Sequence, residues 1–496
     1  MTARTAPLAL AALVLAGCMA GPKYQPEPVV PASTRVGAGG ASDTTRAFFD
    51  SLAAARAADT ADTAARLRPR PAPRVLYPDS IASIAWLDVI RDSTLTRLVE
   101  TALKQNRDIA LARARITEFR AEAGVARAPL FPSVTVNGSA STNQVAFGAF
   151  PPSEFKALRL TGDLAWELDF WGKTRRAYQA ANADLAAQEA AERGTVLTLV
   201  SDVSTAYLQL RELDQEQAIA QRTLSSRQAT LELARKRFSQ GVISELDVRQ
   251  FEAQVAVPAV RLAQVEQARS TQEHALSVLL GEAPTTIPRG EALEQVARAV
   301  TVPDSLPASL LDRRPDVQQA EREYAAASAR IGVARAARLP DISIIASGGT
   351  QSPNASNLFT QQTKVYQLQG GISIPLFTGG SLENQERAAR ARAEEARATY
   401  EQTALTALRE ASDALAGVRA ARDQRIAQET QAVALRRALQ LAELRYQTGI
   451  SNYLDVLDAQ RSLFDAELAL SQAQLGQLSA AVQLYRALGG IWPTGR

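Results

Sequence analysis

Two stretches of the sequence repeat one arrangement of glycine and carboxylate residues. RFSQGVISELDVRQFE begins at position 237, and RYQTGISNYLDVLDAQ begins at position 445. Ser244 and Asn452 are natural helix N-caps, so Asp247 and Asp455, three residues further on, would each complete a capping box. Asp458 follows Asp455 at a spacing of three, which places both carboxylates on one helix face. Capping and an action on passing ions are both open for these carboxylates.

Other chemistry has little material. The chain of 496 residues has one Cys, one His and two Met, which leaves almost nothing for a metal site, a catalytic triad or a disulfide framework. No phosphate-binding loop or nucleophile elbow occurs, so we expect no enzyme, no metal and no catalytic residues. His274 lies in a helical pattern and is interpreted as a packing or surface residue. Net charge is only +3 without a basic block, which argues against nucleic acid.

The single cysteine, Cys18, follows the apolar run APLALAALVLAG. This run is typical of a signal peptide and is too short for a finished membrane span. The ending LAGC resembles a bacterial lipobox, which implies cleavage before Cys18 and its modification with diacylglycerol and palmitate. Met19 after the cysteine favours the outer membrane in such lipoproteins. The alternative is an ordinary signal peptide that happens to contain a cysteine.

A constant offset of 208 residues relates two halves of the chain. Gly241 and Gly449 are separated by it, as are Asp247 and Asp455. The chain is therefore predicted to be a tandem duplication of a helical unit. The expected organisation is a signal peptide at 1–17, a lipid-anchored tether at 18–85, a first repeat at 86–281, a linker at 282–315, a second repeat at 316–489 and a C-terminal tail at 490–496.

Long helices and short strands should alternate in each repeat. The segment between Gly172 and Gly241 lacks proline and would make a helix about 100 Å long. A seven-residue seam of mostly apolar side chains in the last helical segment, near 454–485, predicts coiled-coil-like packing. In LRLTGDLAWELDF, which spans 158–170, apolar and polar residues alternate, which is typical of a strand with two unlike faces.

Each repeat supplies a pair of such strands, near 133–170 and 341–377, so we expect four strands per chain. Four strands cannot close a barrel, and their open edges would be intolerable in lipid. Three chains would supply twelve strands, enough for a closed barrel with a polar lumen. The predicted fold is therefore mixed α/β and mainly α: a long coiled-coil-like helical barrel, with four transmembrane strands per chain in a trimeric twelve-stranded barrel.

From Cys18 to Gly490 the chain resembles the TolC-like outer-membrane efflux channels, in the lipoprotein branch that serves resistance-nodulation-division pumps. The motifs that carry this resemblance are GPKYQP, WLDVIRDSTLTRLVETALKQNRDI, ELDFWGK, LLDRRPDV, IPLFTGG and RYQTGISNYLDVLDAQRSLFDAE. The resemblance implies a homotrimer in outer-membrane lipid with a tunnel in the periplasm, a periplasmic adaptor and an inner-membrane pump as partners, and passive export of small molecules.

The resemblance also implies roles for the residues of the repeated stretches. It places Asp455, Asp458, Asp247 and Tyr446 at the narrow periplasmic mouth of the tunnel. The hairpin tips that would dock the adaptor are Gly241, Val242, Gly449 and Ile450. Two alternatives to an efflux duct stay open: a duct for type I protein secretion, and a periplasmic coiled-coil scaffold without a pore.

Overall fold

The computed structural model describes residues 19–22, 24, 35–37, 51, 92–145, 153–299, 305–448, 450–451 and 453–490. The chain divides into two compact units, and each unit takes segments from both halves of the sequence. The first, here called the sheet unit, comprises Met1–Pro28, Arg113–Ala191 and Gln318–Thr403. The second, the helix unit, comprises Val29–Ala112, Glu192–Val317 and Ala404–Arg496. Cys18 and the predicted signal peptide lie outside the described residues.

Helices make up most of the described chain, as predicted. They are α1 (Ser93–Gln105), α2 (Arg107–Arg127), α3 (Lys173–Ser239), α4 (Glu245–Leu280), α5 (Leu293–Ala299), α6 (Pro315–Ala336), α7 (Ser381–Gln447) and α8 (Tyr453–Ala487). α3 and α7 each contain 67 residues, and both of their ends are 208 positions apart. The starts of α4 and α8 are separated by the same distance. The tandem repeat is therefore confirmed at the level of single helix ends.

One antiparallel sheet of four strands lies in the sheet unit. Its strands are β2 (Ser133–Val145), β3 (Ser153–Leu168), β5 (Asp341–Ser352) and β6 (Lys364–Ser373), paired in that order. The prediction of a strand pair in each repeat is confirmed. β3 begins before the predicted alternation and ends before Phe170, and β6 ends at Ser373, two residues before Pro375, which lacks the backbone N–H that a ladder needs.

The register of the sheet gives it two unlike faces. Leu164 is opposite Val134 on one side and Ala346 on the other, so apolar residues line up across the strands. Asp163 lies on the other face and accepts hydrogen bonds from Asn137 Nδ2 at 2.7 Å and from the Thr161 hydroxyl at 3.2 Å. The alternation predicted from one strand thus extends across its neighbours, because residues directly opposite in a ladder share a face.

A shorter ladder in the helix unit was not predicted. β1 (Arg35–Gly37) pairs antiparallel with β4 (Ser305–Pro307). β1 falls within the predicted tether and β4 within the predicted linker. Strands of three residues are too short to show a periodic pattern, so the statement that the chain has four strands in all was wrong.

The helix unit is held by a core that joins α1, α3, α4, α5 and α8. Asp92 caps α1 by accepting from Thr94 N at 2.8 Å, and it also accepts from the Tyr207 hydroxyl at 2.8 Å. Tyr207 is itself among the most buried side chains. The predicted seam of α8 is buried from Phe464 to Tyr485, whereas Leu454, at the start of the helix, is exposed. Within the described ranges, no helix is both long enough and apolar enough to cross a membrane.

The segment that follows Cys18 is fixed in the sheet unit. Ala20 N donates to Trp171 O at 3.0 Å, and Arg176 Nε donates to Ala20 O at 3.2 Å. A Cβ at Gly21 would lie 2.6 Å from the Cα of Gly332, so only glycine fits this backbone approach.

Candidate gate and docking surface at the helical hairpins

The first hairpin joins α3 to α4 through a tight turn. Gly241 has a φ of +76°, and Val242 N donates to Arg237 O at 2.9 Å. These are features of a helix that ends in a left-handed residue. No atom lies within 4 Å of the position of a Cβ on Gly241, so glycine is needed there for its backbone conformation and not for space.

The predicted capping box at the start of α4 is confirmed. Asp247 N donates to Ser244 Oγ at 3.2 Å, and Ser244 N donates to Asp247 Oδ2 at 2.9 Å. The Ser244 hydroxyl, and then its backbone N–H, hold the pKa of Asp247 below its usual value. The hydrogen bonds of Asp247 therefore serve the first turn of its own helix.

The second hairpin joins α7 to α8 and reproduces the first one. Ile450 N donates to Arg445 O at 2.9 Å, which is the same bond as Val242 N to Arg237 O, displaced by 208 residues. Gly449 and Asn452 lie outside the described residues. Within the described part, the two chain reversals thus share one backbone pattern.

Asp455 and Asp458 are both exposed in the first turns of α8. Asp458 Oδ1 accepts from Arg461 Nη2 at 2.8 Å, and both side chains of this pair are about two-thirds exposed (68% and 66%). An exposed ion pair of this kind contributes little stability. The two carboxylates are therefore available on one helix face, and their role at a pore stays a prediction.

Tyr446 connects the two hairpins within one chain. The guanidinium of Arg237 donates to its hydroxyl and lies 5.0 Å from its ring centroid. The ring also meets Tyr453 edge-on at 5.3 Å, and Tyr453 in turn packs on Phe251 at 4.0 Å. Burial, and next the neighbouring Tyr446, raise the pKa of Tyr453. This series of contacts, Arg237–Tyr446–Tyr453–Phe251, is called the hairpin tie below.

Sequence reasoning found Tyr446 but missed its partners. It grouped Tyr446 with Asp247, whereas the structure pairs Tyr446 with Arg237 and Tyr453 and gives Asp247 to Ser244. Arg237 opens the first repeated stretch, at the position that Arg445 holds in the second. That correspondence was the one signal in the sequence that could have drawn attention to it.

Each hairpin exposes a pair of apolar side chains. Val242 and Leu246 are 66% and 67% exposed, and Ile450 and Leu454, at the equivalent positions, are 70% and 53% exposed. Val242 and Ile450 were predicted as docking residues, and Leu246 and Leu454 were missed. Exposed apolar residues grouped in this way are typical of a protein-binding surface.

The profile of the outer membrane efflux protein family matches residues 98–282 and 306–490. These two ranges begin and end 208 residues apart, like the helices. The probable efflux pump outer membrane protein TtgC of Pseudomonas putida is 34% identical over 499 aligned residues, which cover 99% of this chain and 96% of the relative.

Solved structures agree with the sequence relatives. The outer-membrane channel OprN is similar with a TM-score of 0.78 at 29% identity, over 96% of this chain and all of the other (100%). CusC, described in terms of folding and transmembrane channel formation, is similar with a TM-score of 0.77 at 28% identity, over 85% of this chain and 99% of the other. With both repeats matched, the chain belongs to the outer membrane efflux protein family.

Proposed function

We propose that this protein is the outer-membrane exit duct of a tripartite efflux system, through which small molecules pass without chemical change. The observation that carries this proposal is the match of both repeats to one family of outer membrane efflux proteins. The two-faced sheet and the repeated hairpins give that function a physical basis. No reaction is needed, because a duct only has to provide a continuous polar path.

The sheet supplies the wall of the duct in the membrane. Its edge strands, β2 and β6, have partners on one side only, and unpaired strand edges are not tolerated in lipid. A homotrimer supplies three sheets of four strands, which close as a twelve-stranded barrel. The face with Leu164, Trp166 and Leu168 then meets lipid, and the face with Asp163 and Glu167 meets water.

The exposed hairpins supply the docking surface. A trimer presents six hairpins, three with Gly241 and Val242 and three with Gly449 and Ile450. Near-equivalent tips suit a ring of periplasmic adaptor subunits, which connect the duct to an inner-membrane pump of the resistance-nodulation-division class.

The carboxylates of the second hairpin supply the gate. In a trimer, three copies of Asp455 and of Asp458 form rings that attract cations and repel anions. Tyr446 lies beside them in sequence and holds the two hairpins together through the hairpin tie. Asp247 completes the helix cap of the first hairpin in the same ring of tips.

A lipid anchor on Cys18 would hold the N-terminus at the outer membrane. The residues after it are bound to Trp171 and Arg176, close to the end of β3 in the sequence. Two acyl chains give firm membrane attachment, although a closed barrel also anchors the protein. Acyl labelling that is lost in Cys18→Ser, and retained in Cys18 protein, tests the anchor independently of the duct.

Conductance in planar lipid bilayers tests the duct itself. Purified protein should run as a trimer in detergent and should give discrete conductance steps with cation preference. A trimer that extracts from the outer membrane but never conducts, even after the gate carboxylates are removed, would favour the coiled-coil scaffold. Rescue of drug export in a cell that lacks its own duct, without rescue of protein secretion, separates efflux from type I secretion.

A further inference from the structure

A cavity of about 470 Å³ lies in the helix unit, where α3, α7 and α8 meet. Its lining includes Arg222 and Arg227 of α3, Arg436 of α7, and Glu467 of α8. Arg227 lies twelve residues before the end of α3, which is about 18 Å along the helix. This cavity, here called the arginine pocket, is therefore separate from the hairpin tie and from the gate carboxylates.

The only carboxylate in the lining is already engaged by two of the three arginines. Glu467 Oε2 accepts from Arg222 Nη2 at 2.8 Å, and Glu467 Oε1 accepts from Arg436 Nη2 at 2.7 Å. Arg227 has no ion-pair partner among the described residues. The lining therefore carries two more positive charges than negative ones.

Arg227 is the buried member of the set, with 4% of its surface exposed. Its Nη1 donates to Gln254 O at 2.8 Å, and its Cζ lies 5.6 Å from the ring centroid of Phe464. Its Nε is buried and has no hydrogen-bond partner. Burial lowers the pKa of this guanidinium, while the charges of Tyr453 and Asp465 oppose that effect. A buried guanidinium with a free donor is costly unless an anion meets it.

Helix packing in the repeats does not require this arrangement. The position equivalent to Arg227 in the second repeat is Leu435, and the position equivalent to Glu467 in the first is Ala259. The same long helices therefore form elsewhere in the chain without these charges. The arginine pocket is a property of one repeat interface, which points to a ligand and not to a general need of the fold.

We propose that the arginine pocket binds a small oxyanion, a phosphate or a carboxylate, with Arg227 as its central ligand. Phosphate and carboxylate oxygens fit the fork of a guanidinium, and charge-assisted bonds of this kind are strong. Thr223 and Ser226 also line the cavity and offer hydroxyl donors. Gln460, whose Oε1 has no partner, can offer its amide N–H groups after a half-turn of that amide.

Inorganic phosphate is the probe, with the full-length protein in detergent and with chloride replacing phosphate at constant ionic strength and pH. Isothermal titration should show saturable binding to the parent protein. Arg227→Gln should weaken it by about tenfold to a hundredfold, the range expected for loss of a charge-assisted hydrogen bond. Glu467→Gln should instead tighten it, because this change removes the only negative charge from the lining.

The matched control is Arg235→Gln, which removes an exposed positive charge from the same helix and leaves the arginine pocket intact. Arg235 pairs with Glu252 at 2.9 Å and is 60% exposed, so its loss should leave phosphate binding unchanged. Size-exclusion profiles and circular dichroism confirm that each variant is folded. Equal binding to the parent protein and Arg227→Gln would overturn the proposal, as would weaker binding to Glu467→Gln or equal effects of phosphate and chloride.

Discussion

Arg237 and Tyr446 lie 209 residues apart in the chain, and the guanidinium of one donates to the hydroxyl of the other. The same guanidinium lies over the ring at 5.0 Å. The two hairpins of one chain are thus held by a hydrogen bond and a cation–π contact, each of modest strength. A contact of this kind can break and form again without unfolding either hairpin, as a gate requires.

Loosening the hairpin tie should favour the open mouth. Arg237→Gln removes the charge over the ring, and Tyr446→Phe removes only the hydrogen bond, so the first change should raise open probability more than the second. Single-channel recording in planar bilayers measures both. Arg249→Gln is the control, because Arg249 is exposed and pairs with Glu245 and Glu252 of its own helix. If both tie variants match the parent protein, the tie does not contribute to the gate.

Removal of the gate carboxylates should change ion passage. The double change Asp455→Ala and Asp458→Ala should raise conductance or weaken cation preference, because it removes two rings of negative charge. Reversal potentials under a salt gradient measure that preference. Asp247→Ala should instead loosen the start of α4, since Asp247 bonds to Ser244. An unchanged reversal potential in the double variant would leave helix capping as the only role of Asp455.

Stability should fall as pH rises toward neutrality because of Glu212. Glu212 is buried one turn from Glu216, whose carboxylate Arg261 and Gln472 also contact. Burial, and next the charge of Glu216, raise the pKa of Glu212 to about 7, while Ser471 and Arg261 oppose the shift. A carboxyl whose pKa is raised on folding stabilises the folded state below its unfolded value of 4.5, and this contribution is lost as pH rises to about 7.

Glu212→Gln should therefore flatten the dependence of melting temperature on pH between 5 and 8 and should raise the melting temperature most at the alkaline end. Thermal unfolding followed by circular dichroism measures this. Glu266→Gln, on the exposed face of α4, should keep the slope of the parent protein. An equal slope in the parent protein and Glu212→Gln would show that Glu212 does not hold a proton near neutral pH.

Two glycines with almost the same backbone conformation should differ in their tolerance of alanine. Gly241 and Gly281 have φ values of +76° and +80°, so alanine costs each about 1–2 kcal/mol of conformational energy. A Cβ at Gly281 would also lie 2.4 Å from Gln105 O, whereas Gly241 has nothing within 4 Å. Gly281→Ala should therefore lower the melting temperature more than Gly241→Ala. Equal shifts would mean that the α1–α4 contact relaxes at no cost.

Strand orientation can be measured with single cysteines. In a Cys18→Ser background, Asp163→Cys should react with a membrane-impermeant thiol reagent in reconstituted vesicles, because Asp163 is on the polar face of β3 with Asn137. Leu164→Cys, on the apolar face opposite Val134, should be protected by lipid. The reverse pattern of labelling would mean that the two faces of the sheet are assigned the wrong way round.

The parts of the fold that depend on local pattern were predictable. Alternation in β3 is visible in a dozen residues, and the offset of 208 requires only that the chain be compared with itself. The hairpin tie and the arginine pocket were not predictable in this way. They depend on which faces of α3, α7 and α8 meet, and a helix of 67 residues with a weakly segregated polar face does not specify its neighbours.

Pairing of β1 with β4 sets an order of events in folding. Val36 is opposite Leu306, so the ladder joins positions 270 residues apart and encloses the first repeat between them. Contacts of such long sequence separation form late, since the entropy of closing the intervening chain has to be offset first. Because β4 lies beyond the first repeat, a nascent chain that ends before Ser305 leaves β1 without its partner strand. The first half of the protein is therefore completed only by residues that follow it in synthesis.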